Sequence, residues 1–557
     1  MPQKPIFTRY PLLSVPYGFV SNGQVRTNDS YVSALYRNAL EFVQEPDTWE
    51  GLFKLSCLLF SNPVQEPAAS LIRESLYDTE DGSFAGSLSE QVSIARAAIA
   101  LYEYKPDRMI LRRIASWCRF LEIEWDRLIS GNGIIYRPAD LMELLIRFYQ
   151  LSGVRSVLRI CAKLRSSAFD WTTALQTFQQ SIPSAAEADR TLSDLIRKNK
   201  DELDFDEKQR LINHAGYLAD GIRYSFLSGL FSGNGHELTA GKTAWRYLLK
   251  HHHAVCGGTT SDPFLAGSGS DKPVSNKVLA EWIEALAIQL LLNESEWALD
   301  ELIRIIFNGL ADCLHRESVP EQQYINTVCF KQESTHPDSE LYARLTRSVA
   351  SVYHHSVSVS ENGVRINYLL PGKTAVMIGK KPLIISSDTQ GATLQCSGSF
   401  DAPIEIFYAR TETANLFIKN EKDTTEITPE FFHSSGRFIP AGTHWCGGER
   451  LFFVQQGRIL SEPGHHQGVT FIVRNCLLSY QTDEGQYAYS VCETPEVMDG
   501  RIRVAAKPVV HWPAHGGIPA DIPVIPECRD ETVLLPLVPY SDTFSRITLF
   551  PRNLKNV

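Results

Sequence analysis

The 557-residue sequence contains no apolar run approaching the roughly eighteen residues that a membrane-spanning helix needs, so a helical membrane protein is excluded. Its first residues, MPQKPIFTRYPLLSVPYGF, hold no uninterrupted apolar stretch because prolines break the one candidate, and no secretory leader is expected. Cys-x-x-Cys pairs are missing. The eleven cysteines are an odd number and several sit in apolar segments such as KLSCLLF and ASWCRF, the usage of reduced, buried thiols. Cytoplasmic localisation is the expectation. No dense Lys/Arg stripe occurs, and with a net charge of −10 a nucleic-acid partner is not expected. Low-complexity segments and a fixed repeat period are also missing, which argues against a short-repeat array.

What is present is a chain of ordinary globular composition, 43% hydrophobic and 21% charged, and too long for one core. Up to about residue 355 apolar residues recur at helical spacing. Val32, Leu35, Leu40 and Phe42 mark one face, as do Leu141, Leu144, Leu145 and Tyr149, and Leu279, Trp282, Ile283, Leu286 and Leu290. Such segments with short polar connections predict paired helices in a toroid or solenoid. Beyond residue 355 the period falls to two, in runs such as GVRINYLL, IEIFYAR and FIVRN separated by turn residues, the pattern of antiparallel β-sandwiches. The expected divisions are 1–355 for the helical domain with an extended N-terminal segment, 356–465 for a sandwich, and 466–557 for a second small sandwich or its continuation. A sandwich edge could support a homodimer.

Chemistry-bearing residues cluster between 210 and 340. LINHAGYLADGIRYSFLSGL reads as one helix carrying Asn213, His214 and Asp220. HHHAVCGGTTSDPFLAG (251–267) follows a second helix and supplies His251, His253, Cys256 and Asp262 in a glycine-containing loop. Its spacing matches no strong zinc pattern, and histidines at a helix C-terminus favour the dipole anyway. Glu281 and Glu284, three apart, are neighbours on a helix surface, where a solvated face is the commoner use. FKQESTHPDSELYARL adds His336, Asp338 and Glu340, and Tyr324 lies just before it. Trp245 and Trp282 are either sugar platforms or, more commonly, core residues.

The order of these segments resembles that of the β-L-arabinofuranosidase-like glycoside hydrolases, family 127 and its relatives. NHAGYLADGIRYSFL is similar to their Asn-His-Gly helix and HAVCGGTTSDPFLAG to their Gly-Asp-Glu-x-Leu-Ala-Gly loop. LAEWIEALAIQLLL takes the place of the Glu-x-Cys helix, ELIRIIFNGLADCL resembles the Glu-Arg-x-x-(Phe/Tyr)-Asn helix, and EQQYINTV the Gln-Tyr-x-x-x-x-Asn segment. WCGGERLFF, FIVRNCLLSY and VPYSDTFSRITLFP resemble the Gly-Asp turn, the Arg-Gly-Pro strand and the Pro-Tyr-x-x-x-x-Arg ending. The resemblance covers most of the chain and implies an (α/α)6 barrel followed by β-sandwiches.

It also implies a zinc-bound cysteine nucleophile with a glutamate acid/base, and here the sequence departs. Pro263 stands where the acid/base glutamate follows Asp262. Leu279 or Ile283 replaces the helix cysteine, and Thr335-His336 or His336-Pro337 the paired cysteines. Without thiols a zinc thiolate cannot assemble, so the expectation is a site with no metal and no cofactor. The leading expectation is a diverged carbohydrate-active enzyme cleaving a small glycoside or uronate. Asp262 would be its general acid and Glu281 or His336 its base, with Asn213, His214, His253, Glu284, Tyr324 and Asp338 binding substrate. A catalytically inactive barrel that binds a carbohydrate or protein partner, and a repurposed biosynthetic enzyme with non-hydrolytic chemistry, are the alternatives.

Overall fold

The computed structural model describes residues 18–19, 24–59, 65–77, 82–130, 132–178, 192, 194–292, 295–316, 318–328, 338–360, 363–378, 381–388, 391–396, 399–408, 416–419, 424–427, 437–445, 450–455, 459–482 and 486–552. Six helices pack side by side, each on the next: α1 (Pro46–Leu59), α2 (Leu88–Tyr104), α3 (Ala139–Ser152), α4 (Ala215–Ser232), α5 (Asn276–Ala287) and α6 (Ser339–His355). The last packs back on the first. These helices are buried over most of their circumference. In α4 every residue from Ala215 to Leu230 is buried, as expected of a helix with neighbours on all sides. The helices outside them are one-sided. Arg108–Ile129 buries Ile110, Ile114, Trp117, Cys118, Leu121 and Trp125, a single stripe at three- and four-residue spacing.

Local signals fix the helix starts. Ser87 and Glu90 form a capping box ahead of α2, and the Asp338 carboxylate accepts the Glu340 and Leu341 amides to start α6. At residues 211–230 the sequence predicts one helix, and the structure has two. His214 adopts an extended conformation (φ −74°, ψ 112°), ends Phe205–Asn213, and caps α4 by accepting the Tyr217 amide on its ring. A bridge from His214 to Phe264 holds the break open.

The loop 251–267 is knitted rather than open. The Thr260 amide donates to the His252 carbonyl, the Ala254 amide to that of Gly258, and Thr260 and Ala266 also pair. Two-residue strands Ser261–Asp262 and Phe264–Leu265 join Pro273–Ser275 and Gln322–Tyr324 in a four-stranded sheet that the sequence pattern does not announce. Gly257 (φ +97°) lies so close to the helix after Glu296–Arg304 that a Cβ would stand 2.6 Å from the Ile305 amide nitrogen. Gly257→Ala is therefore expected to lose about 2–3 kcal/mol, from left-handed strain plus a backbone clash. Chemical denaturation would read it, and a midpoint equal to the parent's would refute the close approach.

The helices end at His355 and strands begin at Val357. A five-stranded and a seven-stranded sheet share residues up to Gln455, and a further sheet is built from Leu460 to Ile547. Gly18–Phe19 and Val25–Arg26 pair with Val357–Val359 and Gly372–Ile378, so the N-terminal segment belongs to the β half. Alternation is clear in Lys381–Ser387, where Leu383 and Ile385 point in and Ile384 points out. Among the described strands after residue 355, Val364–Ile366 runs parallel to Ile404–Ile406, against the antiparallel expectation. The buried core is continuous from helices to strands. Among the described residues no helix is long and apolar enough to cross a membrane.

Candidate functional site

All six packed helices present their N-terminal halves to one cavity of about 360 Å³. Asp47 comes from α1, Ser89 and Ser93 from α2, Asp140 from α3, Tyr217 and Asp220 from α4, Glu281 from α5, and Arg344 and Arg347 from α6. Arg137, just before α3, completes the charged wall. The positive helix ends converge here, and so do acids and guanidinium groups.

Glu281 is not on a solvated face. Its side chain is 3% exposed, and its Oε1 accepts from Arg137 at 2.5 Å and also pairs with Arg344. Glu284 is buried one turn on, with Arg347 3.8 Å away. Asp140 pairs with Arg96 at 2.5 Å, Arg223 at 2.8 Å and Arg347 at 3.3 Å. Burial would raise its carboxyl, but Arg347, Arg96 and Arg223 hold it well below the usual carboxylate range. Asp220 goes the other way. Burial, opposed by Arg137 and reinforced by the Asp140 charge, pushes its pKa up to about 6. Its Oδ2 accepts the Ala139 amide at 3.3 Å.

His214 stands beside this wall. Burial, with Arg137 and Arg344 nearby, pushes its pKa down to about 3, so the ring is neutral. Because Nδ1 accepts the Tyr217 amide at 3.3 Å, the neutral ring carries its proton on Nε2 as a donor. Tyr217 lines the cavity with the Arg137 guanidinium 5.5 Å over its ring. Two carboxyl groups with opposed pKa shifts on one cavity wall are the arrangement from which acid/base pairs are made.

The other residues singled out in the sequence fall elsewhere. Asp262 is exposed, accepts from Gln322, and is not among the residues lining this cavity. Tyr324 shares that small sheet, its hydroxyl 3.4 Å from Gln322 Oε1. Asp338 caps α6 and pairs with Lys277. Asn213 is buried at the end of the preceding helix. His253 pairs with Glu301 at 3.3 Å and lines a different cavity. His336 lies outside the described residues. Trp245 and Trp282 are both core residues, packed edge to face at 4.7 Å. Sequence reasoning passed over Asp140, Arg137, Arg344 and Arg347. Only Asp140 carried a local signal, as an acid in the first turn of an apolar helix; Arg137 precedes that helix, and Arg344 and Arg347 sit in the second and third turns of α6.

The zinc thiolate that the resemblance implies does not fit this donor set. None of the described residues lining the cavity is a cysteine, and Leu279 and Ile283 are fully buried among apolar neighbours. Cys256 and Cys313 are buried too, and burial pushes both thiols up, that of Cys256 to about 12.

The fold of this chain is similar to that of solved glycoside hydrolases. One glycoside hydrolase matches with a TM-score of 0.71 over 99% of both chains at 9% identity. A GH127 β-L-arabinofuranosidase from Geobacillus stearothermophilus T6 matches with a TM-score of 0.65 at 11% identity, covering 93% of this chain and 91% of its own. A further GH127 β-arabinofuranosidase gives 0.55 at 12% identity, over 97% and 98% of the two chains. No family model and no curated protein sequence matches the chain. At these identities the likeness is one of fold.

Proposed function

We propose that the chain is a carbohydrate-active enzyme of the (α/α)6-barrel type that cleaves a small glycoside or uronate by acid/base chemistry without a metal. The observation that supports this best is the pairing of Asp220, with its pKa near 6, and ion-paired Glu281 on the wall of the same cavity. Asp220 is the general acid: a carboxyl still partly protonated near neutral pH can donate to a leaving oxygen. Glu281, held by Arg137 and Arg344, serves as base or as the charge that stabilises a cationic sugar. Arg344 and Arg347, which line the cavity, face a carboxylated substrate.

The test is product formation from a panel of aryl glycosides, oligosaccharides and uronates after EDTA treatment. Turnover that survives EDTA is the expected result. Silence across the whole panel would transfer the reading to a carbohydrate-binding barrel without catalysis. One observation favours that second reading: both guanidinium groups on Glu281 fall on the same carboxylate oxygen, which leaves that oxygen less room to take a proton from a nucleophile.

A further inference from the structure

We infer that His465, His466 and Asp521 form a binding site for one divalent first-row transition metal ion, separate from the carboxylate cavity. Among the described residues they are the only three His, Cys, Asp or Glu side chains whose ligand atoms all lie within 4.8 Å of one another. His465 Nε2 and His466 Nδ1 both point at Asp521 Oδ2, each at 3.2 Å. Ligands on a tetrahedral zinc ion at about 2.0–2.1 Å are separated by about 3.3 Å, so each of these spacings suits a shared cation.

The carboxylate is already oriented. Asp521 Oδ1 accepts the Ser270 amide at 3.2 Å, the Ser270 hydroxyl at 3.3 Å and the Ile522 amide at 2.9 Å, which leaves Oδ2 to face the imidazoles. The two rings are stacked with centroids 3.8 Å apart. Adjacent residues present their rings to the same side because His466 (φ 50°) and Gln467 (φ 61°) are left-handed, a conformation that is costly for residues with a Cβ. Pairing of Gly464 with Gly468 and of Gly468 with His465 closes this turn.

Two imidazoles and one carboxylate suit zinc and its neighbours rather than magnesium or calcium, which take oxygen ligands. His465 also lines a cavity of about 230 Å³ together with His253 and Ser270. A fourth ligand, water or a small anion, enters from that side. The bound ion would tie the turn 464–468 and Asp521 in the β half to Ser270 of the helical half.

The full chain, stripped with EDTA and dialysed, is titrated with ZnCl2 by calorimetry and then loaded with Co2+ for absorption spectroscopy. The expected result is about one zinc per chain at micromolar concentration or tighter. Losing an outer-shell partner alone costs up to about 100-fold in affinity, so H465Q/H466Q is expected to lose more than that. Co2+ is expected to give d–d bands without thiolate charge transfer. D521N, which keeps the Ser270 contacts possible, is expected to weaken binding as well. The inference is overturned by a wild-type chain that takes up no zinc, by H465Q/H466Q that binds as tightly as wild type, or by a thiolate band.

Discussion

Asp220→Asn is expected to remove turnover and at the same time to stabilise the protein at alkaline pH. As general acid, Asp220 contributes on the order of 10²–10⁴-fold to the rate, and the amide cannot donate a carboxyl proton. Wild-type kcat/KM should fall tenfold per pH unit above about 6, where the carboxyl ionises. The stability effect has the opposite sign because the folded state raises this pKa above its ordinary 3.8. The stabilising contribution of the protonated form is fully present below pH 3.8 and is lost as pH rises through 6. Above that pH the folded chain carries a buried charge beside Asp140 that costs on the order of 2–3 kcal/mol. The Asn variant keeps an acceptor for the Ala139 amide and removes this charge. Its denaturation midpoint should match wild type at pH 4 and exceed it at pH 8. Undiminished turnover in the variant would end the acid role of Asp220. A midpoint difference that does not change with pH would show that the carboxyl is not raised.

The largest stability loss is expected from Arg546→Met. The guanidinium is 0% exposed, donates to Asp312 at 2.6 Å and to the carbonyls of Thr543 and Tyr324, and lies 3.6 Å over the Tyr540 ring. Asp312 is buried as well, and Arg316 also pairs with it. Removing one partner of such a group leaves charge and carbonyls uncompensated, worth about 3–5 kcal/mol. Met fills the space without replacing any donor. A denaturant midpoint shift below that of an ordinary surface substitution would show that the ion pair contributes nothing net. Because Arg546 is not among the residues lining the carboxylate cavity, kcat/KM of the folded variant is expected to stay near the parent value.

Much of this second site was legible in the sequence, though not for its purpose. The segments that carry the family resemblance turn out to hold the helical and β halves together. In ELIRIIFNGL, Glu301 accepts from the Gly258 amide, Arg304 pairs with Glu462, and Asn308 bonds Asn475 and Leu477 across to the strands. In the Pro-Tyr-x-x-x-x-Arg ending, the Tyr540 hydroxyl donates to Gln323, and Arg546 reaches Asp312. The switch from helices to strands near residue 355 was equally legible, because a change of hydrophobic period needs no tertiary information. The cavity was not. Glu281 becomes a buried acid only because Arg137 and Arg344 arrive from distant segments, and a local window sees merely two acids at helical spacing. Asp220 was noticed as a polar residue on an apolar helix, but its raised pKa depends on Asp140 of a neighbouring helix. The break at His214 was hidden because an imidazole acting as a helix cap continues the helical pattern. The strands at 261–265 are two residues long, too short for any period to show.

The seam has a consequence for how the chain is made. Thr27 donates to the carbonyl of Pro371, and Asn326 accepts the amides of Thr548 and Leu549. The N-terminal strands therefore pair with segments more than three hundred residues later in the chain, and Asn326 of the helical half with residues more than two hundred later. Such long-range closure is slow, and during synthesis it cannot finish before residues 548 and 549 have left the exit tunnel. The helical ring emerges first with the faces around Asn308 and Asp312 uncovered, and they stay so until residues 475–477 and 546 have been made.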